Sequence, residues 1–162
     1  MSKLLLLLAL CITMQLSAQK AAWQKLGSAE KFWVVTHPFV AKKACTISKH
    51  VLNVLDSLKE SNYFKSNTLS GSNADAVRHA YWMAVLSLEI GKRKSLKLGK
   101  AHEKKNRKDF ERGELEEAFL PDEAAMKMDL RNNEIGSGLE GKTRNELLMK
   151  VLIAARNGKL WK

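Results

Sequence analysis

Cysteine is almost missing from this 162-residue chain, which has two, Cys11 and Cys45. Cys11 falls in an apolar N-terminal run, so the remainder keeps one thiol and no internal disulfide framework is open to it. Cys45 sits in an apolar helical stripe, the usual setting of a buried thiol rather than of a nucleophile. Alternation of apolar and polar residues with period two is missing as well, which argues against a sheet. No internal repeat, low-complexity tract or interdomain linker divides the chain. Acidic residues are scarce, 17 against 28 Lys and Arg, for a net charge of +11. Such a field favours anionic partners, such as phosphate esters, acidic glycans or an anionic envelope component. No helix-turn-helix, RNA-recognition or zinc-finger signature accompanies the charge, so nothing specific points to nucleic acid.

A long hydrophobic run is also lacking. The N-terminal stretch "MSKLLLLLALCITMQLSAQK" is apolar from Leu4 to Met14, short of the roughly 20 residues a membrane-spanning helix needs. One lysine precedes the run, and Ser17-Ala18-Gln19 follows it as a small-residue cleavage context. Residues 1–19 therefore read as a signal peptide and residues 20–162 as a single exported domain, periplasmic or secreted, with no transmembrane helix. Leu10 stands before Cys11 where a lipoprotein signal has a small residue, which argues against lipidation. Loss of the leader removes Lys3, and 27 basic residues against 17 acidic leave a net +10. At 45% hydrophobic content the chain has material for one core.

What is present is helical periodicity. A short aromatic helix is expected over residues 22–35, stopped by His37-Pro38, and a second over 39–60 with Val40, Ala44, Ile47, Val51, Val54, Leu55 and Leu58 at helical spacing. Residues 61–73 read as a loop. Ser72-Asn73 cap a third helix that runs to Gly91. A basic fourth helix spans Lys94 to about Phe110 and stops at Gly113, and "GELEEAFL" after it is irregular. Pro121-Asp122-Glu123 opens a fifth helix reaching Asn133 or Ile135. Thr143 and Glu146 form a capping box for a last helix that ends at Gly158. The expected fold is all-α, a compact domain of five to six helices.

Stepping residues at the α-helical angle gives each side chain a direction. On the third helix His79 shares a stripe with Ala76, Met83, Leu86 and Ile90, and Asp75 lies one turn before it. Arg78, Val85 and Glu89 mark a narrow wet edge. On the fourth, Lys94, Lys97, Lys100, Lys104, Lys105, Arg107 and Lys108 fill one face. His102, Glu103, Asn106 and Asp109 lie away from it, with Leu96, Leu98, Gly99 and Phe110. On the fifth, Lys127, Arg131 and Glu134 face water, and Asp129, Asn132 and Asn133 share the other arc with Ala125, Met126 and Leu130. Three helices thus aim acids, amides and imidazoles at a core. Burial of such groups is costly unless they meet one another or a cation.

Three chemistries fit that convergence. His79, His102, Glu103 and Asp129 offer imidazole nitrogen and carboxylate oxygen, a donor mixture suited to zinc or manganese. Asp75, Arg78, Asn106, Asn132 and Asn133 would then orient the ligands or contact substrate. With an open coordination position the site becomes a metal-dependent hydrolase for an anionic or phosphate-containing substrate, though the ligand spacing matches no compact zinc signature. Alternatively His102, with Glu103 or Asp129, is a metal-free acid–base pair. No Ser, Thr or Cys stands out as nucleophile. Third, the cluster is a buried packing network in a non-enzymatic secreted or envelope binding domain.

The segments "DAVRHAYWMA" (75–84), "LGKAHEKKNRKDF" (98–110) and "PDEAAMKMDLRNNEIG" (121–136) resemble an uncharacterised family of secreted bacterial domains of Bacteroidetes type. Related versions occur at the ends of larger secreted or toxin-like proteins. Its pattern is D-A-F-R-H-A-x-W, then A-H-E, then M-D-L-x-N-N-x-x-G. "THPFVAKKA" (36–44) resembles its upstream part, so nearly the whole exported chain is covered. The resemblance carries over Asp75, Arg78, His79, Trp82, His102, Glu103, Asp129, Asn132, Asn133 and Gly136. Val77 replaces the usual Phe, a change that bears on packing. The resemblance implies that the separated motifs act as one unit, and it implies no activity.

Overall fold

The structure, a computed structural model, describes residues 20, 23–64, 73–113 and 123–161. After a helical stretch at residues 23–25, six helices follow in chain order. They are α1 (Ser28–Thr36), α2 (Pro38–Glu60), α3 (Asn73–Ile90), α4 (Lys92–Glu111), α5 (Glu123–Ser137) and α6 (Arg144–Arg156). No strand occurs among the described residues, and the fold is all-α. None of the described helices is long and apolar enough to cross a membrane. The signal peptide expected over 1–19, the Ser72 cap, residues 114–120 of the "GELEEAFL" segment and the Pro121-Asp122 helix opening lie outside the described residues.

Local chemistry sets the helix ends. Pro38 occupies the first turn of α2, where its missing N–H costs no helical hydrogen bond. Gly91 adopts φ +90° between α3 and α4, a conformation that lets the chain turn at once into the next helix. Thr143 Oγ1 accepts from Glu146 N at 3.1 Å, and Glu146 returns a carboxylate oxygen to Lys142 N at 2.9 Å. The expected capping box is thus present, with its reciprocal bond one residue upstream of the cap.

α3 is the central element, packed against α2, α4, α5 and α6. Its Val77, Ala80, Met83, Ala84 and Leu86 join Ile47, Val51 and Leu55 of α2 and Leu147 and Val151 of α6 in one apolar core. Because α3 is covered on so many sides, Val85 is fully buried rather than on a wet edge. Cys45 is exposed, also contrary to expectation. The stripe that α2 buries runs through Ala44, Ile47, Val51 and Leu55, and Cys45 lies one helical step off it. Phe110 and Leu130 are about two-fifths exposed, at 41% and 39%, so the inward arcs of α4 and α5 are narrower than the sequence pattern suggests.

Two glycines bring the site-bearing helices together. A Cβ at Gly136 of α5 would overlap the backbone carbonyl of Ala80 in α3, and one at Gly99 of α4 would stand 3.2 Å from the Met83 sulfur of α3. Backbone contact at the first crossing sets His79 against Asp129 and Asn133. The second crossing brings Glu103 onto the same side of α3.

Candidate metal centre

His79 is 2% exposed, and polar groups from three helices surround its ring. Its Nδ1 lies 3.3 Å from Asn133 Oδ1 and 3.6 Å from Glu103 Oε1. Asn133 Nδ2 donates to Glu103 Oε1 at 3.1 Å, which fixes the amide orientation and leaves its oxygen for the imidazole. Both neighbours of Nδ1 are acceptors, whereas Nε2 faces the Arg78 Nη2 donor at 3.2 Å, so Nδ1 carries the proton and Nε2 presents a lone pair. Glu103 is held further by Asn106 Nδ2 at 3.4 Å.

The Nε2 side is unusual for a lone pair. Asp129 Oδ1 stands 3.4 Å away and Asp75 Oδ1 3.5 Å. The three donor atoms lie within 4.8 Å of one another, and all three residues are buried. Three electron-pair donors facing each other in a dry interior repel unless positive charge compensates them, from the neighbouring Arg78 guanidinium or from a metal ion. Ligand atoms about 2.1 Å from a tetrahedral ion are about 3.4 Å apart, the spacing of His79 from each aspartate. Asp75, His79 and Asp129 can therefore hold a metal ion.

Electrostatics keeps His79 in the required form. Burial pushes its pKa well below the ordinary 6.5, and the charges of Arg78 and His102 press the same way against the raising hydrogen bond from Asn133. The imidazole is neutral at physiological pH, the state in which it can ligate a metal. Arg78 reaches in beside it, with Nη2 at 2.7 Å from Asp75 Oδ1 and 3.2 Å from His79 Nε2.

The other residues singled out in the sequence fall around this centre in distinct ways. Asp75, expected behind the ligands, stands in the donor triad itself. Glu103 meets the protonated side of His79 and sits behind it with Asn133. The His102 ring centroid is 6.3 Å from that of His79, and it packs edge-on against Trp82 at 5.5 Å. Its Nδ1 is bound to Glu30 Oε1 of α1 at 2.9 Å. Asn132 is turned away: its amide donates to Trp161 O and accepts from Trp161 N, both at 2.9 Å. Asn106 reaches the centre only through Glu103.

Glu30 is the residue that sequence reasoning passed over. It is 7% exposed, and its second oxygen accepts from Gly27 N at 2.8 Å to close the start of α1. An acid in the first turn of a helix reads from sequence as an ordinary cap. Nothing local announces a partner 72 residues away. The available signal was Gly27, where a Cβ would stand 2.8 Å from Lys105 Cβ and so marks the docking of α1 on α4.

Among known proteins, a family model described as a domain of unknown function (DUF6973) matches residues 31–159. No curated protein and no solved structure matches the chain.

Proposed function

The chain belongs to that family of unknown function, and we propose that in it Asp75, His79 and Asp129 hold a divalent cation as the centre of a hydrolase for anionic substrates. The observation that carries this reading is the convergence of the His79 Nε2 lone pair with two buried aspartate oxygens at 3.4 and 3.5 Å. Oxygen-rich donors with one imidazole suit manganese or zinc. The bound cation would supply Lewis acidity and an acidified water.

The chain's own residues divide the remaining work. Glu103 and Asn133 hold the His79 ring and its Nδ1 proton in place, as outer partners of a ligating histidine do. His102, the more exposed imidazole with 27% of its side chain accessible, receives the orienting carboxylate of Glu30 at Nδ1. That leaves Nε2 as its basic nitrogen, suited to exchange a proton with substrate or water. The net charge of +11 supports an anionic substrate, of which a phosphate ester is the representative.

A second reading has support of its own. The Arg78–Asp75 ion pair and the Glu30, Asn106 and Asn133 hydrogen bonds are also what a packing network in a binding domain would contain. Elemental analysis of purified protein, with thermal melts in zinc or manganese, separates the two. A bound ion, or a melting temperature raised by metal in wild type but not in Asp129→Asn, is expected. Absence of both overturns the metal reading. His102→Ala then distinguishes catalysis from packing: a hydrolase loses turnover of phenyl phosphate and keeps its fold, whereas a packing residue lowers stability alone.

A further inference from the structure

The Arg78 guanidinium sits where a bound cation would compete with it. Nη2 is within hydrogen-bond distance of two of the three donor atoms, Asp75 Oδ1 at 2.7 Å and His79 Nε2 at 3.2 Å. An ion shared by those atoms and Asp129 Oδ1 would need the same lone pairs and bring two further positive charges against the guanidinium. At such separations in a buried site the repulsion is severe. Arg78 differs from the donors in one respect: its side chain is 16% accessible, against 3% for Asp75 and 2% for His79. It is the more accessible end of the cluster, partly in contact with solvent where the donors are buried.

We propose that Arg78 is a resident competitor for the cation position, displaced when metal binds and thereby made the anion-binding group of the same site. The proposal rests on the metal reading above and adds to it the recognition of substrate. Before metal arrives, the guanidinium neutralises Asp75 and occupies the His79 lone pair, so these two donors are satisfied without an ion. Once metal takes those atoms, the long side chain turns toward solvent with its planar fork open. That fork matches two oxygens of a phosphate or carboxylate. An anion beside the metal then meets a second positive group, and the substrate class narrows to oxyanions such as phosphate monoesters.

Zinc titration calorimetry on wild type, Arg78→Lys and Arg78→Gln tests the exchange, with circular dichroism to verify the fold. Arg78→Gln should bind zinc at least about tenfold more tightly, because a positive charge is gone, and Arg78→Lys should stay near wild type. Equal or weaker binding by Arg78→Gln overturns the competition while leaving the metal reading intact. Zinc binding by none of the three overturns the metal reading itself. Should Arg78→Gln fail to fold, the Arg78 side-chain N–H resonance of wild type serves instead: it shifts on zinc addition if the exchange occurs, and an unmoved resonance overturns it. With zinc saturating, phenylphosphonate, which has no ester bond to cleave, should bind wild type at least about tenfold more tightly than Arg78→Gln. Equal affinity overturns the anion-binding role.

Discussion

Gly136 of α5 lies on the backbone of Ala80 in α3 so closely that a Cβ would overlap the Ala80 carbonyl. The obstacle is main chain, which cannot rotate aside as a side chain does. Gly136→Ala should therefore destabilise the protein by about 3 kcal/mol or more, at or beyond the upper end for overpacked sites. It should also weaken metal binding, since the same crossing sets Asp129 against His79. Gly138, exposed and with its nearest Cβ neighbour at 3.5 Å, is the control. Gly138→Ala should change stability by less than about 0.5 kcal/mol. Urea denaturation of the two variants measures the contrast.

Asn132 and Asn133 are neighbours with opposite duties, and alanine substitution should separate them. Asn133 bridges Glu103 Oε1 and His79 Nδ1. Its removal should cost about 1–3 kcal/mol and lower metal affinity about 10–100-fold through the misdirected imidazole. Asn132 holds the Trp161 backbone through two hydrogen bonds. Asn132→Ala should cost a similar amount of stability and leave metal affinity unchanged. Paired denaturation and calorimetry on both variants settles the assignment.

That pair also shows how far the sequence is legible. Helical angle and the charged faces of α4 and α5 are enough to turn Glu103, Asp129 and Asn133 inward, because each lies opposite a charged stripe, whereas His79 is turned inward by the apolar stripe it shares with Ala76, Met83 and Leu86. They did not divide Asn132 from Asn133: a 100° step separates them, and both fall within the buried arc. The partner of Asn132 is backbone at the far end of the chain, which side-chain pattern does not report. The same blindness applies to Glu30. In a nine-residue helix an acid at the third position satisfies local capping rules by itself, so its second bond to His102 leaves no periodic trace. Helical spacing sets Asp75 one turn from His79, but its presence in the donor triad depends on the side-chain reach of α5, which only packing sets.

Acid should destabilise the fold through His79. Its folded pKa lies well below the ordinary 6.5 because burial, Arg78 and His102 disfavour the charged ring, despite the nearby carboxylates of Asp75, Glu103 and Asp129. The unfolded chain therefore takes up this proton first as pH falls. Stability from this source is complete above 6.5 and is lost below it, with a slope of up to about 1.4 kcal/mol per pH unit until the folded ring protonates. His50, lowered by burial and Arg144, acts in the same direction. Urea midpoints between pH 8 and pH 5 should fall in wild type and fall less in His79→Gln. Parallel profiles would show that His79 is not the group responsible.

Glu30 should control whether α1 stays docked. A nine-residue helix is too short to persist alone in water. α1 holds to α4 through Glu30–His102 at 2.9 Å and through Trp33 Nε1 donating to Lys94 O at 3.2 Å. Glu30→Ala removes the first of these together with the acceptor for Gly27 N, and capping losses alone run to about 0.5–2 kcal/mol. Glu30→Gln keeps one oxygen acceptor and should lose less. Because Glu30 touches none of Asp75, His79 and Asp129, zinc affinity should be retained in both variants. Hydrogen exchange is the discriminating measurement: α1 amides should lose protection in Glu30→Ala while α3 and α5 amides keep theirs. Unchanged protection in α1 would mean that Trp33 and the Lys108–Ser28 hydrogen bond suffice to secure the helix, and that Glu30 serves to orient His102 rather than to hold the fold.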